Sequence, residues 1–414
     1  MLKKIASLLG GNLIFAGSQW LILVALTKFV GLTAAGVYAL SLAIVSPVYT
    51  LAGLDLRSVA ATDISEENDP RDFLLLTVAG NVVALIASIV IAMTAFPPES
   101  IDMSVLFALA LAKTIETFTF VQYGFLQRAG WIIEVSRSLA ARGLLGLGVF
   151  SALLGLSGAY QVALYGLALS WGIVLIWSAG RRSVEWPRSA FAGETGAGRP
   201  GTLGGLFVKA FPLGVLGSFN ILAQQVPRYF IAAQLPIDAL GIYAGIAQFA
   251  MLGAMIVNAI GQTIVGKLAR LYRDDRKAFV AVQVRSISAG LVVGLAGIVL
   301  AWLYGPRILQ LFYSSDFASA GELFVLGMTW SAVLYVSALT GSGMTGMRLF
   351  KEQSHIGGVV LLVTVGASYW LIDDFGLKGA FIALIVAAVI KLLLQVAVIA
   401  AAFNKVSQHA GSSS

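Results

Sequence analysis

Residues 73–96 read FLLLTVAGNVVALIASIVIAMTAF, a stretch that contains no charged side chain. About 20 such residues in a helix are enough to cross the roughly 30 Å hydrocarbon core of a lipid bilayer. Lipid offers the backbone no hydrogen-bond partner, so a spanning segment must satisfy its own amides by forming a helix. The stretch therefore predicts a transmembrane helix, and similar stretches recur along the whole chain.

The composition agrees with this prediction, because 58% of the 414 residues are hydrophobic and only 11% are charged. Soluble proteins average roughly 45–50% hydrophobic and 25% charged residues. The apolar stretches, separated by charged or turn-rich breaks, predict an all-α polytopic membrane protein with twelve transmembrane helices. The predicted spans are residues 8–30, 37–56, 73–96, 105–125, 139–156, 159–177, 206–233, 240–265, 287–304, 323–344, 356–372 and 380–403.

Basic residues predict the orientation of these spans, because Lys and Arg collect in short cytoplasmic loops. Most of the 27 basic residues, Arg142 among them, are assigned to the side of the membrane that holds both termini. The loops of the opposite side hold only Lys28, Arg307 and Lys378. We therefore expect both termini in the cytoplasm, and we attribute the net charge of +7 to topology rather than to nucleic-acid binding.

The residue types that are absent exclude several classes of function. The sequence has no Cys and two His, so disulfides, thiolate metal sites and a histidine-built metal site are not expected. No Gly-rich phosphate-binding loop is present, which argues against ATP hydrolysis by this chain. The outer connections are short, and they hold no domain of the kind that a membrane glycosyltransferase or polymerase would need. We expect neither a cofactor nor a catalytic residue.

The longest cytoplasmic connection, residues 179–205, is rich in Gly and Arg, a composition typical of a flexible linker. It predicts an N-terminal six-helix lobe over residues 1–178 and a C-terminal six-helix lobe over residues 206–404. Residues 405–414 would form a cytoplasmic tail. A second basic stretch, residues 267–277, is open to two interpretations, an interfacial helix on anionic lipid or a solvated loop.

A short repeat links the two predicted lobes. Residues 34–39 read AAGVYA, and residues 239–244 read ALGIYA, 205 positions later. Each match leads into the second span of its lobe, and both lobes begin on the same side of the membrane. The repeats would therefore be parallel, related by an axis along the membrane normal, and such lobes usually enclose a cavity that opens alternately to the two sides. Transport is the expected function.

Several segments resemble one known family: residues 11–20, GVYALSLAIVSP at 36–47, LDLR at 54–57 and QVPRYFI at 225–231. They are similar to the polysaccharide transporter family of Wzx-type flippases for lipid-linked oligosaccharides. Its superfamily also holds multidrug and toxin extruders and the peptidoglycan lipid flippase. The resemblance implies two pseudo-symmetric six-helix lobes around a central cavity. It also implies flipping of an undecaprenyl-diphosphate-linked glycan, for O-antigen, capsule or exopolysaccharide, across the bacterial inner membrane.

The same resemblance implies the partners. They are the polyprenyl-diphosphate-linked glycan itself, the membrane lipids, a polysaccharide polymerase and a chain-length regulator. No nucleic acid is expected among them.

Ionisable side chains inside the predicted spans are the main functional candidates, because each costs roughly 2.5–3.5 kcal/mol at the centre of a bilayer. Lys113 and Glu116 lie three residues apart on one helical face, where they can form a structural ion pair. The functional alternative makes Lys113 a substrate ligand and Glu116 an ion-coupling site.

The seventh span carries a polar stripe of Asn220, Gln224 and Arg228 at four-residue spacing, which should line the cavity. The guanidinium of Arg228 suits a diphosphate, because its planar fork can grip phosphate oxygens with paired hydrogen bonds. Snorkelling of Arg228 to the lipid headgroups is the competing account. Lys391, near the middle of the twelfth span, is the second predicted phosphate ligand, and Gln395 one turn below it is predicted to line the same substrate-binding cavity.

Three charged residues lie near the membrane faces. Lys28 is at the outer end of the first span, and Arg57 and Asp55 are at the inner end of the second. Anchoring at the interface competes with a role as gates for Lys28 and Arg57, and Asp55 is a second possible ion-coupling residue.

The charged residues inside the predicted spans are compatible with two functions. The intramembrane charges Lys113, Glu116, Arg228 and Lys391 sum to a positive value, which favours an anionic headgroup as cargo. A cation-coupled multidrug or metabolite extruder is the alternative, and it would be expected to carry an excess of carboxylates instead.

Overall fold

The computed structural model describes residues 2–63, 68–181 and 202–411. Within these ranges the secondary structure is helical and no strand occurs. The predicted fold class, an all-α membrane protein, is confirmed.

Seven helices precede residue 182, and five follow residue 201, among the described residues. The first set is α1 (Leu2–Phe29), α2 (Leu32–Ala52), α3 (Leu56–Thr62), α4 (Pro70–Ala95), α5 (Met103–Arg128), α6 (Ile132–Ser157) and α7 (Tyr160–Arg181). The second set is α8 (Leu203–Gln234), α9 (Ile237–Asp274), α10 (Arg276–Phe312), α11 (Gly321–Gly346) and α12 (Phe350–Gly411).

In the described ranges, nine helical stretches are long and apolar enough to cross a membrane, or ten if the bent helix α8 counts as one span. The two parts of α8, 203–219 and 221–234, meet at an angle of 44°. One of the nine stretches, 350–403, is interrupted at Gly376, whose φ of 57° and ψ of −136° are not helical. That break lies between the predicted spans 356–372 and 380–403. The chain is a multi-pass membrane protein, and the count of twelve spans stays a prediction.

The surface of α4 shows why this fold needs a bilayer. Val83, Ile86 and Met93 have 62%, 57% and 72% of their surface exposed, whereas the polar residues Asn81 and Ser88 of the same helix are buried. Apolar residues outside and polar residues inside are expected when the solvent is hydrocarbon, because polar groups then gain by bonding within the bundle.

The chain divides into two compact units, Met1–Leu222 and Ala223–Ser414, called here the first and the second unit. The division falls inside α8, beyond the predicted linker, of which residues 182–201 lie outside the described part. The N-terminal portion of α8 joins the first unit because Gly214 allows a close approach to α2. A Cβ at this position would lie 2.8 Å from the Cα of Leu54. The lobe boundaries at residues 178 and 206 stay a prediction.

The short repeat occupies equivalent positions in the two units. α2 begins two residues before Ala34, and α9 begins two residues before Ala239. The repeated tyrosines, Tyr38 and Tyr243, are 5% and 1% exposed, so both face the interior of their unit. The prediction that the two repeated segments lie at the same position in their helices is confirmed.

The basic stretch at residues 267–277 is not a separate interfacial helix. α9 continues through it to Asp274, and α10 starts two residues later at Arg276. Leu268 is fully buried in a cluster with Phe279 and Met347. Its apolar side chain therefore packs inside the second unit and does not lie on lipid.

Candidate substrate-binding residues

One carboxylate on α5 binds two cations inside the first unit. The Nζ atom of Lys113 donates to Oε2 of Glu116 at 2.5 Å, one helical turn away on the same face. The Nη2 atom of Arg142, on α6, donates to Oε1 of the same carboxylate at 3.2 Å. The ion pair that the spacing of Lys113 and Glu116 predicts is therefore present, and a third charge joins it.

Arg142 is the most deeply placed of the three charged residues, with none of its surface exposed. Its guanidinium carbon lies 4.3 Å from the ring centre of Trp171 on α7 and 4.9 Å from that of Phe15 on α1. Cation–π contacts of this kind contribute about 2 kcal/mol when they are desolvated. The Nε and Nη1 atoms of Arg142 have no hydrogen-bond acceptor among the described residues. The aromatic rings, together with Glu116, thus replace the water that this cation has lost.

The cluster of Lys113, Glu116 and Arg142 carries a net charge of +1. The side chain of Lys113 is 24% exposed, whereas those of Glu116 and Arg142 are 9% and 0% exposed. The positive charge that the carboxylate does not balance is therefore accessible at Lys113.

Arg142 was missed as an intramembrane charge by the reasoning from sequence, which counted it with the cytoplasmic basic residues. The structure corrects this assignment, because Arg142 lies ten residues inside α6 and is fully buried. The information was present in the sequence, since Arg142 also falls within the predicted span 139–156. A strict test of every charge inside a span would have found it.

The chain between α2 and α3 breaks out of helical geometry where the sequence predicts the inner end of the second span. Leu54 and Asp55 have φ values of 53° and 45°, a left-handed conformation that is costly for residues with side chains. Asp55 is exposed there. Arg57, in the first turn of α3, is half-buried and lies over the rings of Phe120 and Tyr123 on α5, at 5.6 and 5.7 Å.

This packing of Arg57 is close because α5 has a glycine opposite α3. A Cβ at Gly124 would lie 2.5 Å from the carbonyl oxygen of Arg57. Lys28, the other predicted gate, lies exposed in the last turn of α1. Arg57 thus packs against two aromatic rings, whereas Lys28 lies exposed at the end of its helix.

The predicted polar stripe on α8 is only partly described. Gln224 is exposed and Arg228 is half-buried, both in the part of α8 that belongs to the second unit. The side chain of Asn220 lies outside the described part of the structure.

Lys391 and Gln395 lie one turn apart on α12 and have different surroundings. Lys391 is half-buried, and no ion pair is found for it among the described residues. Gln395 is 4% exposed, and its Oε1 atom accepts a hydrogen bond of 3.0 Å from Ser337 on α11. Gln395 therefore joins two helices, while no described carboxylate pairs with Lys391.

Comparisons with known proteins agree with this architecture. Residues 1–271 match the family described as "Polysaccharide biosynthesis protein". The chain is also similar to the capsular polysaccharide biosynthesis protein CapF of Staphylococcus aureus, with 20% identity over 402 residues that cover 95% of this chain and 98% of CapF.

Two solved structures show the fold. An inward-facing multidrug resistance transporter of the MATE family and MOP superfamily aligns with a TM-score of 0.71 and 15% identity, over 94% of this chain and 95% of that one. The lipid II flippase MurJ in an inward closed conformation aligns with a TM-score of 0.72 and 11% identity, over 96% and 87% of the two chains. At these identities the likeness concerns the fold alone.

Proposed function

We propose that this chain, which belongs to the polysaccharide biosynthesis protein family, flips an undecaprenyl-diphosphate-linked oligosaccharide across a bacterial inner membrane by alternating access. The relative CapF is named for capsule biosynthesis, and MurJ is named as a flippase of lipid II. A cargo of this class is a repeat unit of a capsule, an O-antigen or an exopolysaccharide. The proposal places both termini in the cytoplasm and adds a polymerase and a chain-length regulator as partners.

The observation that carries the proposal is the excess of positive charge inside the membrane. Lys113, Glu116 and Arg142 leave one cation unbalanced in the first unit, and Lys391 keeps a second one in the second unit. Retaining such groups costs roughly 2.5–3.5 kcal/mol each, so a ligand that compensates them is expected. A diphosphate supplies the required negative charge and several strong acceptor oxygens.

The proposed roles follow from these positions. Arg228 and Lys391 are the proposed phosphate ligands of the second unit, and Lys113 is the proposed phosphate ligand of the first. Gln224 and Asn220 contact the headgroup, and Gln395 holds α12 in place beside Lys391 through its bond to Ser337. Among the residues near the membrane faces, Lys28 and Arg57 act as gates.

The test is reconstitution into liposomes that contain a fluorescent polyprenyl-diphosphate oligosaccharide. Arg228→Ala and Lys391→Ala are each expected to slow flipping about ten-fold or more, because a lost hydrogen bond to a charged group is worth about 1.5–3 kcal/mol. Lys378→Ala is the matched control, since Lys378 is 56% exposed and pairs with the exposed Glu322. Wild-type rates in both Arg228→Ala and Lys391→Ala would remove the assignment of phosphate ligands.

A cation-coupled multidrug extruder is the second candidate, and the MATE-like fold is the observation that favours it. In that case Glu116 or Asp55 would carry the coupling ion. The carboxylate of Glu116 already pairs with two cations, so its negative charge is more than balanced without a coupling ion. Uptake of a cationic dye by the same liposomes under a proton or sodium gradient, without flipping of the glycolipid, would establish the extruder instead.

A further inference from the structure

The two cations that share Glu116 differ in their freedom to move. Arg142 is fully buried, and its guanidinium packs against the rings of Phe15 and Trp171. Lys113 retains exposed surface and reaches the carboxylate through a flexible four-carbon stem. Arg142 is thus the permanent partner of Glu116, and Lys113 is the partner that can exchange.

The charges of the three side chains show why Arg142 matters. Arg142 and Glu116 form a neutral pair by themselves, so Lys113 supplies the positive charge that remains. If Glu116 had Lys113 as its sole partner, departure of the ammonium would leave an uncompensated buried carboxylate, which is strongly unfavourable. Because Arg142 stays in place, Lys113 can leave Glu116 for another anion without creating that situation.

We propose that Arg142 is a positioning residue for transport, which holds the Glu116 carboxylate while the ammonium of Lys113 transfers between that carboxylate and a phosphate of the cargo. The inference rests on the proposed function and deepens it. It assigns phosphate recognition in the first unit to Lys113, and it gives the buried guanidinium a role without direct contact with the cargo.

Two other polar pairs connect α5 to neighbouring helices near this cluster. Tyr49 of α2 shares a hydrogen bond of 3.2 Å with Thr114, and Thr117 donates to Asn81 of α4 at 2.8 Å. Neither group carries a charge that could replace Arg142 beside Glu116. The exchange therefore involves only the three charged residues and the cargo.

The first experiment compares three variants in the liposome flipping assay, with thermal unfolding as the check on folding. Arg142→Gln removes the permanent partner and leaves Lys113 bound to Glu116, so we expect flipping to fall about ten-fold with a higher cargo concentration for half-maximal rate. Arg142→Lys keeps the charge and should stay within about three-fold of wild type. The double variant Glu116→Gln with Arg142→Gln frees Lys113 again and should recover most of the rate, a non-additive result.

A purely structural role predicts instead that the flipping rate follows the melting temperature across these variants, because each substitution would then act only through the stability of the first unit. A folded double variant that stays as slow as Arg142→Gln would therefore overturn the inference and point to direct binding of cargo by Arg142. Recovery in the double variant supports the exchange.

The second experiment does not depend on flipping. Purified protein is treated with a water-soluble amine-acylating reagent, and modification of Lys113 is quantified by mass spectrometry with and without inorganic diphosphate. We expect diphosphate to protect Lys113 in the wild type and in the double variant, and loss of protection in both would overturn the inference. Protection in a wild-type protein that flips no glycolipid would contradict the proposed function while supporting Lys113 as the phosphate ligand.

Discussion

Removing the carboxylate of Glu116 tests the energetics of the charge cluster most directly. In Glu116→Gln, Arg142 keeps its charge with no anion beside it, because an arginine does not lose its proton in a protein. Breaking a buried ion pair from one side costs about 3–5 kcal/mol. For a unit of this size each kcal/mol lowers the melting temperature by about 2–4 °C, so we expect a decrease of roughly 6–20 °C.

Lys113→Met is the matched comparison, because it removes the partly exposed partner of Glu116 and leaves the buried one, Arg142, in place. The side chain of Lys113 is 24% exposed, and an ion pair with access to solvent contributes about 1 kcal/mol or less. Arg142 also remains to neutralise Glu116 in this variant. We expect the melting temperature to fall by less than about 4 °C.

The assay is thermal unfolding of the purified protein in detergent, followed by the intrinsic fluorescence of its tryptophans. Trp171, whose ring lies 4.3 Å from the guanidinium carbon of Arg142, reports directly on this site. If Glu116→Gln melts within about 2 °C of wild type, or if Lys113→Met is the less stable variant, the assignment of Glu116 as the counter-charge of the buried Arg142 is wrong.

Two further predictions concern backbone positions. Gly294→Ala places a Cβ atom 2.5 Å from the Cβ atom of Ala332 on α11, so we expect it to destabilise the protein by about 1–3 kcal/mol. Gly366→Ala is the control, because its Cβ atom meets no atom within 4 Å and the substitution should be neutral or stabilising by up to about 1 kcal/mol. Equal melting temperatures for the two variants would contradict the close packing at Gly294. Arg348→Gly relieves a φ of 60° at an exposed position after α11 and should stabilise by about 1 kcal/mol, so a melting temperature below that of wild type would refute the strain.

The helices were largely predictable because lipid imposes one rule on every span. A long apolar run must form a helix, whatever its neighbours are, and α4 at Pro70–Ala95 follows the predicted span 73–96 closely. The breaks were harder. Leu54 and Asp55 adopt the left-handed conformation although neither is a glycine, so their residue types do not predict the break between α2 and α3. The end of α9 was not predicted either, because the helix continues past its apolar part to Asp274, where Leu268 packs inside the second unit.

The contact between charged residues on one helix was predictable, but the contacts between charged residues on different helices were not. Spacing along α5 was enough to place Lys113 beside Glu116, because residues three apart share a helical face. Nothing local to α6 says which helix Arg142 will face, since that depends on how α1, α5 and α7 pack around it. The hydrogen-bond partner of Gln395 could not be predicted for the same reason, because Ser337 lies on a different helix.

The surroundings of Arg142 also bear on how the protein is made. Ribosomes deliver Phe15, Lys113 and Glu116 before Arg142, and Trp171 follows last, since synthesis proceeds from the N-terminus. The counter-charge is thus already in the membrane when the guanidinium arrives, and the indole closes over it only after α7 has been inserted. We therefore expect nascent chains that lack the carboxylate of Glu116 to be the ones exposed to quality-control proteases.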